Sequence, residues 1–218
     1  MSCLQHESQE ASLPADEWKD IAFCQGEVVL HAVFHPENCL KKDDGSYEMK
    51  DSALRFREFV NLGTGEKNGI SFFRTDLPHG RQIWRRITSL AERKPSGRRS
   101  TLATYCQIET LNGYICSFNE ELQIEFEFIT DANINNKTHV LLCTKQEVTC
   151  ILDQNSRVKG FLLSDGKALG EAHILMLRRR IVSRLSPLSA LSDLIDTIIF
   201  DSCDGCCSQS CPPIPIDA

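Results

Sequence analysis

The chain has no uncharged apolar run near the roughly 18 to 20 residues that a membrane-spanning helix needs. Its opening, MSCLQHESQEASLPADEW, lacks a basic n-region and an apolar h-region, so no secretory signal is expected. The expectation is an intracellular, cytoplasmic protein, membrane-associated or nuclear only where a tether or partner takes it there. Its eleven cysteines are then expected to be mostly reduced, and an odd number fits a closed disulfide framework poorly.

Catalytic templates are missing too. Residues 63–69, GTGEKNG, have glycines and a lysine but neither the P-loop spacing nor a Ser or Thr after Lys67. There is no G-x-S-x-G elbow and no H-E-x-x-H. Aromatic RNP-type motifs, GxxG clamps and paired Cys/His fingers are absent, as are internal repeats. These absences lean away from an enzyme and from a resident cofactor, with zinc the one ion that the residue types leave open.

What is present is a strong unevenness of charge. The formal net charge is −6, which excludes a protein whose whole surface grips nucleic acid. Yet residues 74–99 hold eight Lys or Arg (Arg74, Arg81, Arg85, Arg86, Arg93, Lys94, Arg98, Arg99) against Asp76 and Glu92, so 8 − 2 = +6 locally and −12 elsewhere.

Hydrophobic residues make up 41% of the chain, enough for a sizeable core. In residues 26–35, Val28, Leu30, Ala32 and Phe34 alternate with Val29, His31, Val33 and His35, which predicts a strand buried on two sides. Residues 38–50, with Asp44-Gly45, read as a turn or loop. Residues 53–62 and 69–74 read as two further strands, the first equally as a helix. The spacing of Ile83, Ile87, Leu90 and Ala91 predicts a helix over 77–94, with Asp76 to cap it, Pro78 in its first turn and Pro95 and Gly97 to end it. Residues 101–130 are β-rich, with Asn112-Gly113 as a type I′ hairpin signal and Leu122, Ile124, Phe126 and Phe128 alternating with polar residues. Short strands continue over 138–164, and 171–185 reads as either helix or strand.

Leu188, Leu191, Leu194, Ile195, Ile198 and Ile199 predict an amphipathic helix over 187–200, capped by Ser186 and opened by Pro187. Its other face is Ser189, Ser192, Asp193, Asp196 and Thr197, so it is expected to dock on its own sheet or on an identical partner, as a homo-oligomer would use it. The fold class that follows is α+β, mainly antiparallel sheet or sandwich, with helices near 77–94 and 187–200. The domain expectation is a flexible segment 1–16, a single β-rich domain 17–200 and a flexible Cys/Pro-rich tail 201–218.

Three constellations carry chemistry. With the apolar stripe of 77–94 turned inward, Arg81, Arg85, Arg86 and Arg93 lie on or near the other face, and Lys94, Arg98 and Arg99 extend the charge into the exit loop. Arg suits forked contact with phosphate, so an anionic partner, RNA before DNA, is the leading expectation. Trp84, Phe72, Phe73 and Tyr105 are the aromatics near enough to stack on bases. The plain alternative is a solvated helix face that pairs with the chain's own acidic strands. Arg93-Lys94-Pro95-Ser96 and Arg98-Arg99-Ser100 also resemble basic-directed phosphorylation sites, against the plain alternative of unused loop serines.

The second constellation is Cys203, Cys206, Cys207 and Cys211, spaced C-x2-C-C-x3-C. It suits S-acylation beside an apolar helix, hence a membrane tether, or zinc, or redox sensing, or no role at all. The corresponding functional alternatives are a membrane-tethered scaffold or accessory protein, of which viral movement and silencing-suppressor proteins are compositional analogues, and a small zinc-binding regulatory protein. The third is Cys24, His31, His35 and Cys39, whose histidines, four residues apart on a strand, stand roughly 13 Å apart, too far for one ion. Buried or interface histidines are the expectation there.

Overall fold

The computed structural model describes residues 23, 25–50, 53–54, 69–75, 100–130, 138–155, 158–190 and 194, with backbone alone at 100 and 101. Alternating β-branched and aromatic residues set its centre. VVLHAVFH forms β1 (Val28–His35), and the inner and outer faces are both covered: Val29 is 0% and Leu30 1% exposed. After a hairpin of β2 (Cys39–Lys41) and β3 (Tyr47–Met49) come β4 (Ile70–Arg74) and β5 (Ser100–Gln107). Then follow β6 (Ile115–Ser117), β7 (Gln123–Thr130), β8 (His139–Thr144), β9 (Val148–Leu152), β10 (Val158–Leu163) and β11 (Ala168–Leu169). The helix α1 (Glu171–Val182) and a short β12 (Ser189–Ala190) close the described chain.

Seven strands form one sheet in the order β12-β5-β1-β4-β8-β7-β6, and every neighbouring pair is antiparallel. A second sheet, β11-β10-β9, is also antiparallel, so the fold is α+β and dominated by antiparallel sheet. One apolar core joins the layers. Val29, Phe72, Phe126, Phe128, Val140 and Leu142 of the large sheet meet Val148, Phe161, Leu163 and Leu169 of the small one and Ile174, Leu177 and Ile181 of α1. Those three helix residues recur on one stripe, which makes 171–182 a helix rather than a strand. Each fully buried Leu or Ile contributes on the order of 1.5 to 3 kcal/mol.

The centre of the sheet leaves no slack. Gly69 enters β4 against β8, and a Cβ there would lie 2.4 Å from the carbonyl oxygen of Leu142, so only glycine fits. A 3-10 turn, Ile108–Thr110, then straps the inner face: Ile108 N–H donates to the Glu27 carbonyl beside β1 (2.7 Å) and Gly113 N–H to that of Phe126 in β7 (2.8 Å).

Three expectations are corrected here. Residues 38–50 are a hairpin, β2 with β3 in register Cys39↔Met49; each strand has only three residues, too few for a period to show. Asn112-Gly113 is a turn but not a type I′ hairpin, because β5 pairs with β1 and β12 while β6 pairs with β7. Gly113 does adopt a left-handed φ of 73°, and the Asn112 side chain accepts from Phe128 N–H (2.9 Å). Residues 187–190 are not helical, since β12 pairs Ser189↔Ala103 and Ala190↔Leu102. Ser186 therefore does not cap a helix; its Oγ accepts from Tyr105 N–H (2.9 Å) and its carbonyl from the Thr104 hydroxyl (2.6 Å). Beyond that clamp Leu194 is helical and packs on Leu30, Phe73 and Ala103 on the outer face of the same chain's sheet. The rest of the 187–200 stripe, the 77–94 helix, the 1–16 segment and the 201–218 tail lie outside the described residues, and Ala53 and Leu54 stand in a turn rather than a strand.

One polar feature crosses this apolar frame. Glu27 is 0% and Arg74 2% exposed, and they form a two-pronged ion pair, Nε with Oε1 and Nη2 with Oε2, the latter at 2.8 Å. Glu27→Gln keeps the shape but removes the carboxylate charge from a buried guanidinium, and is expected to lower stability by about 3 to 5 kcal/mol in urea unfolding. Lys145→Ala breaks the surface pair with Glu125 and is expected to change stability by less than about 1 kcal/mol. Equal midpoints for the two variants would show that the buried pair is not a structural node.

Candidate functional site

Of the residues singled out for an anionic partner, Arg81, Arg85, Arg86, Arg93, Lys94, Arg98 and Arg99 lie outside the described residues, as do Trp84 and the tail cysteines Cys203, Cys206, Cys207 and Cys211. Arg74 leaves the local charge count, because its charge is committed to Glu27 beneath the ring of Phe23, 4.8 Å from the guanidinium. Residues 81–99 alone still carry seven bases against Glu92, 7 − 1 = +6, so the local charge survives the correction. Phe72 (0% exposed) and Phe73 (8%) leave the stacking candidates, since β4 is covered on both faces; Tyr105 is half-buried. Ser100 opens β5 opposite His35.

The Cys24, His31, His35 and Cys39 constellation does not come together. His31 is buried, bonds through Nδ1 to the Ser71 carbonyl (2.8 Å) and lies against Phe72. His35 meets Tyr47 edge-on at 5.5 Å, and Cys39 is enclosed with Val33 and Leu102. Burial also pushes the Cys39 thiol up, against the opposing pull of Lys50, and pushes Cys106 up to about 12, with Glu109 adding to the effect. Such thiols are poor nucleophiles and poor ligands at neutral pH. Cys24 lies outside the described residues, and among those described no three His, Cys, Asp or Glu side chains converge on a metal position.

A site that sequence reasoning missed stands at the end of α1. Its last turn and exit, RRRIVSR, place Arg178, Arg179, Arg180 and Arg184 within seven residues with no acid among them. Cations there oppose the negative end of the helix dipole. Arg184 lies over the Tyr114 ring at 3.7 Å, and Tyr114 stacks in turn on buried Phe126 with its ring 9° from parallel. Arg180 stands 5.9 Å from the Phe118 ring and donates through Nη1 to the Ser117 carbonyl (2.7 Å) and the Cys116 sulfur (3.2 Å). His173 closes the other side of Phe118 edge-on, and burial is the first cause holding the Tyr114 phenol above its ordinary value. The signal was in the sequence as four arginines in seven residues. It went unread because the element was unassigned, so the side of the run could not be placed.

Elsewhere the acidic surface is matched locally by lysine: Lys42 with Glu48, Lys145 with Glu125, Lys159 with Glu171 and Lys167 with Asp165. A shallow cleft of about 280 Å³ lies between Glu120, Glu121, Gln123, Gln146, Leu163, Ser164 and Asp165. Lys167 reaches the Glu121 carbonyl at its edge. No helix among the described residues is long and apolar enough to cross a membrane.

His31 gives the large sheet a pH response. Burial holds it below its ordinary 6.5, partly offset by the bond to Ser71. The unfolded chain therefore binds this proton more readily than the folded one. Its contribution to stability is full above about pH 6.5 and is lost as the pH falls below that value toward the folded pKa. His31→Asn, which keeps a donor for the Ser71 carbonyl but does not titrate, is expected to flatten the acid side of the stability curve. Parallel curves for parent and variant would place the ring in water. Compared with protein-family models, curated proteins and solved structures, the chain matches none of them.

Proposed function

We propose that this is a non-enzymatic binding protein whose segment 81–99 engages an anionic partner, RNA before DNA. The observation that carries the reading is a division of labour between the two kinds of base. In four ion pairs of the described surface the cation is lysine, beside an acid close in the fold. Arginine is instead concentrated in two runs, six of the seven bases of 81–99 and all four of 178–184. Lysine is a hydrated point charge that suits local neutralisation, whereas the planar guanidinium fork suits phosphate. The competing account is that 81–99 pairs with the chain's own acidic strands; Glu125 of β7, for its part, pairs with Lys145.

Replacing Arg85, Arg86, Arg98 and Arg99 by Gln is expected to weaken RNA binding and flatten its salt dependence. If each contacts one phosphate, the slope of log K against log salt falls by about 2.8 for a single strand. Unchanged affinity in a folded variant retires this reading, and a lowered melting point without a change in binding favours self-pairing.

A membrane-tethered scaffold role is a second reading. Four of the five described cysteines are buried, and the reading rests on the spacing of Cys203, Cys206, Cys207 and Cys211, which suits acylation or zinc. Changing these four to Ser is expected to move a tethered protein from the membrane fraction to the cytosol in flotation. Loss of stoichiometric zinc on the same change supports the zinc-binding alternative, and identical partitioning removes the tether.

A further inference from the structure

We infer that Arg180 and Arg184, seated on Phe118 and Tyr114 at the end of α1, bind phosphates of single-stranded RNA as a contact separate from residues 81–99. The inference rests on the reading of the chain as an RNA-binding protein and names a second surface for it. Helix-dipole complementarity accounts for a positive charge in this turn but not for how these two side chains are held.

Each guanidinium is fixed in orientation by a ring and a carbonyl. Arg184 lies on Tyr114 and donates through Nη1 to the Arg180 carbonyl (2.9 Å); Arg180 stands over Phe118 and donates to the Ser117 carbonyl. The column from Phe126 through Tyr114 to Arg184 is anchored in the core, since Phe126 is 0% exposed. A guanidinium held flat in this way loses little further freedom when it grips an anion.

Among the described residues the charge itself is unmatched. Neither Arg180 nor Arg184 meets a carboxylate among the described residues, although the chain has 30 acids and its surface lysines find them readily. Arg180 lies in the last turn of α1 and Arg184 two residues beyond its end, so two like charges fall at one end of the helix and repel each other. An anion between them turns that repulsion into attraction. A phosphodiester fits because it brings one charge per nucleotide, and because bases stack on guanidinium planes. Met176, one turn before Arg180 and 40% exposed, offers apolar surface for a base or sugar on the same side of the helix.

The test uses the full-length protein and a short fluorescent oligouridylate, titrated over a range of salt. Arg184→Gln leaves the Arg180 bond to Ser117 in place and is expected to weaken binding several-fold and lower the salt slope by about 0.7. Arg180→Gln with Arg184→Gln is expected to lower it by about 1.4. The double Lys variant, which keeps the charge but not the fork, is expected to keep the slope with weaker affinity. Ultraviolet crosslinking of the parent is expected to attach uridine at Tyr114 or Phe118, a readout that does not depend on any variant folding. If the parent binds and the 81–99 variant is impaired, while Arg184→Gln and the double variant match the parent, this inference is overturned and the 81–99 reading stands. If the parent does not bind the oligonucleotide, both fall. Binding through Arg184 to phosphatidylserine vesicles and not to the oligonucleotide also overturns it.

Discussion

The buried pair of Glu27 and Arg74 is the constraint on which the arrangement of the large sheet turns. It sits where four pieces of chain must agree. Glu27 precedes β1 and its carbonyl receives the 3-10 strap at Ile108. Arg74 ends β4, and its N–H donates to Thr138 at the start of β8. Thr75 returns both its N–H and its hydroxyl to the Val28 carbonyl. Apolar contacts tolerate small slips, whereas a guanidinium out of water does not tolerate loss of its carboxylate, because the desolvation of each charge is several kcal/mol. A one-residue slip of β4 would also carry Arg74 to the outer face and Phe73 to the inner. The pair thus selects one register among those that the alternating Val, Leu and Phe residues alone would permit.

This node was illegible in the sequence for a physical reason. Arg74 stands 47 residues from Glu27, and an arginine at the end of a strand reads as surface until its partner is known. It was counted with the basic segment that follows. Strands with enough residues to show a period were legible: β1 from its two-sided apolar alternation, β7 from Ile124, Phe126 and Phe128. Strands of two or three residues, β2, β3, β6, β11 and β12, have no period to read and are set by tertiary pairing. Residues 171–185 failed differently, since a short apolar run such as ILML fits a strand or a helix equally. Asn112-Gly113 was read for its left-handed glycine, which is present, but a turn residue does not say which strands its turn will join. The 81–99 run and the tail cluster were legible as charge and spacing only, which bear on chemistry and not on placement.

The two kinds of surface base imply different electrostatic work. A lysine beside a carboxylate at 3 Å contributes little to stability when both are exposed, yet it cancels the local field. Lys42, Lys145, Lys159 and Lys167 each do this beside one acid. An arginine over an aromatic ring keeps its full charge while its orientation is fixed. Acids outnumber bases 30 to 24, so the chain as a whole is negative, net −6, and any positive region on it is local.

Locality then bears on the kind of anion such a body can hold. At physiological ionic strength fields decay over about 8 Å, so a polyanion feels the arginines only when nearly in contact. A long stiff duplex faces more of this net-negative body than a short strand does and is repelled by it. A single strand bends within a few nucleotides and can touch a basic site without lying along the acidic surface. The same charge distribution disfavours broad, unselective attachment of a polyanion. It also makes the strength of any such contact depend on how rigidly each guanidinium is held, because the molecule as a whole supplies no attraction.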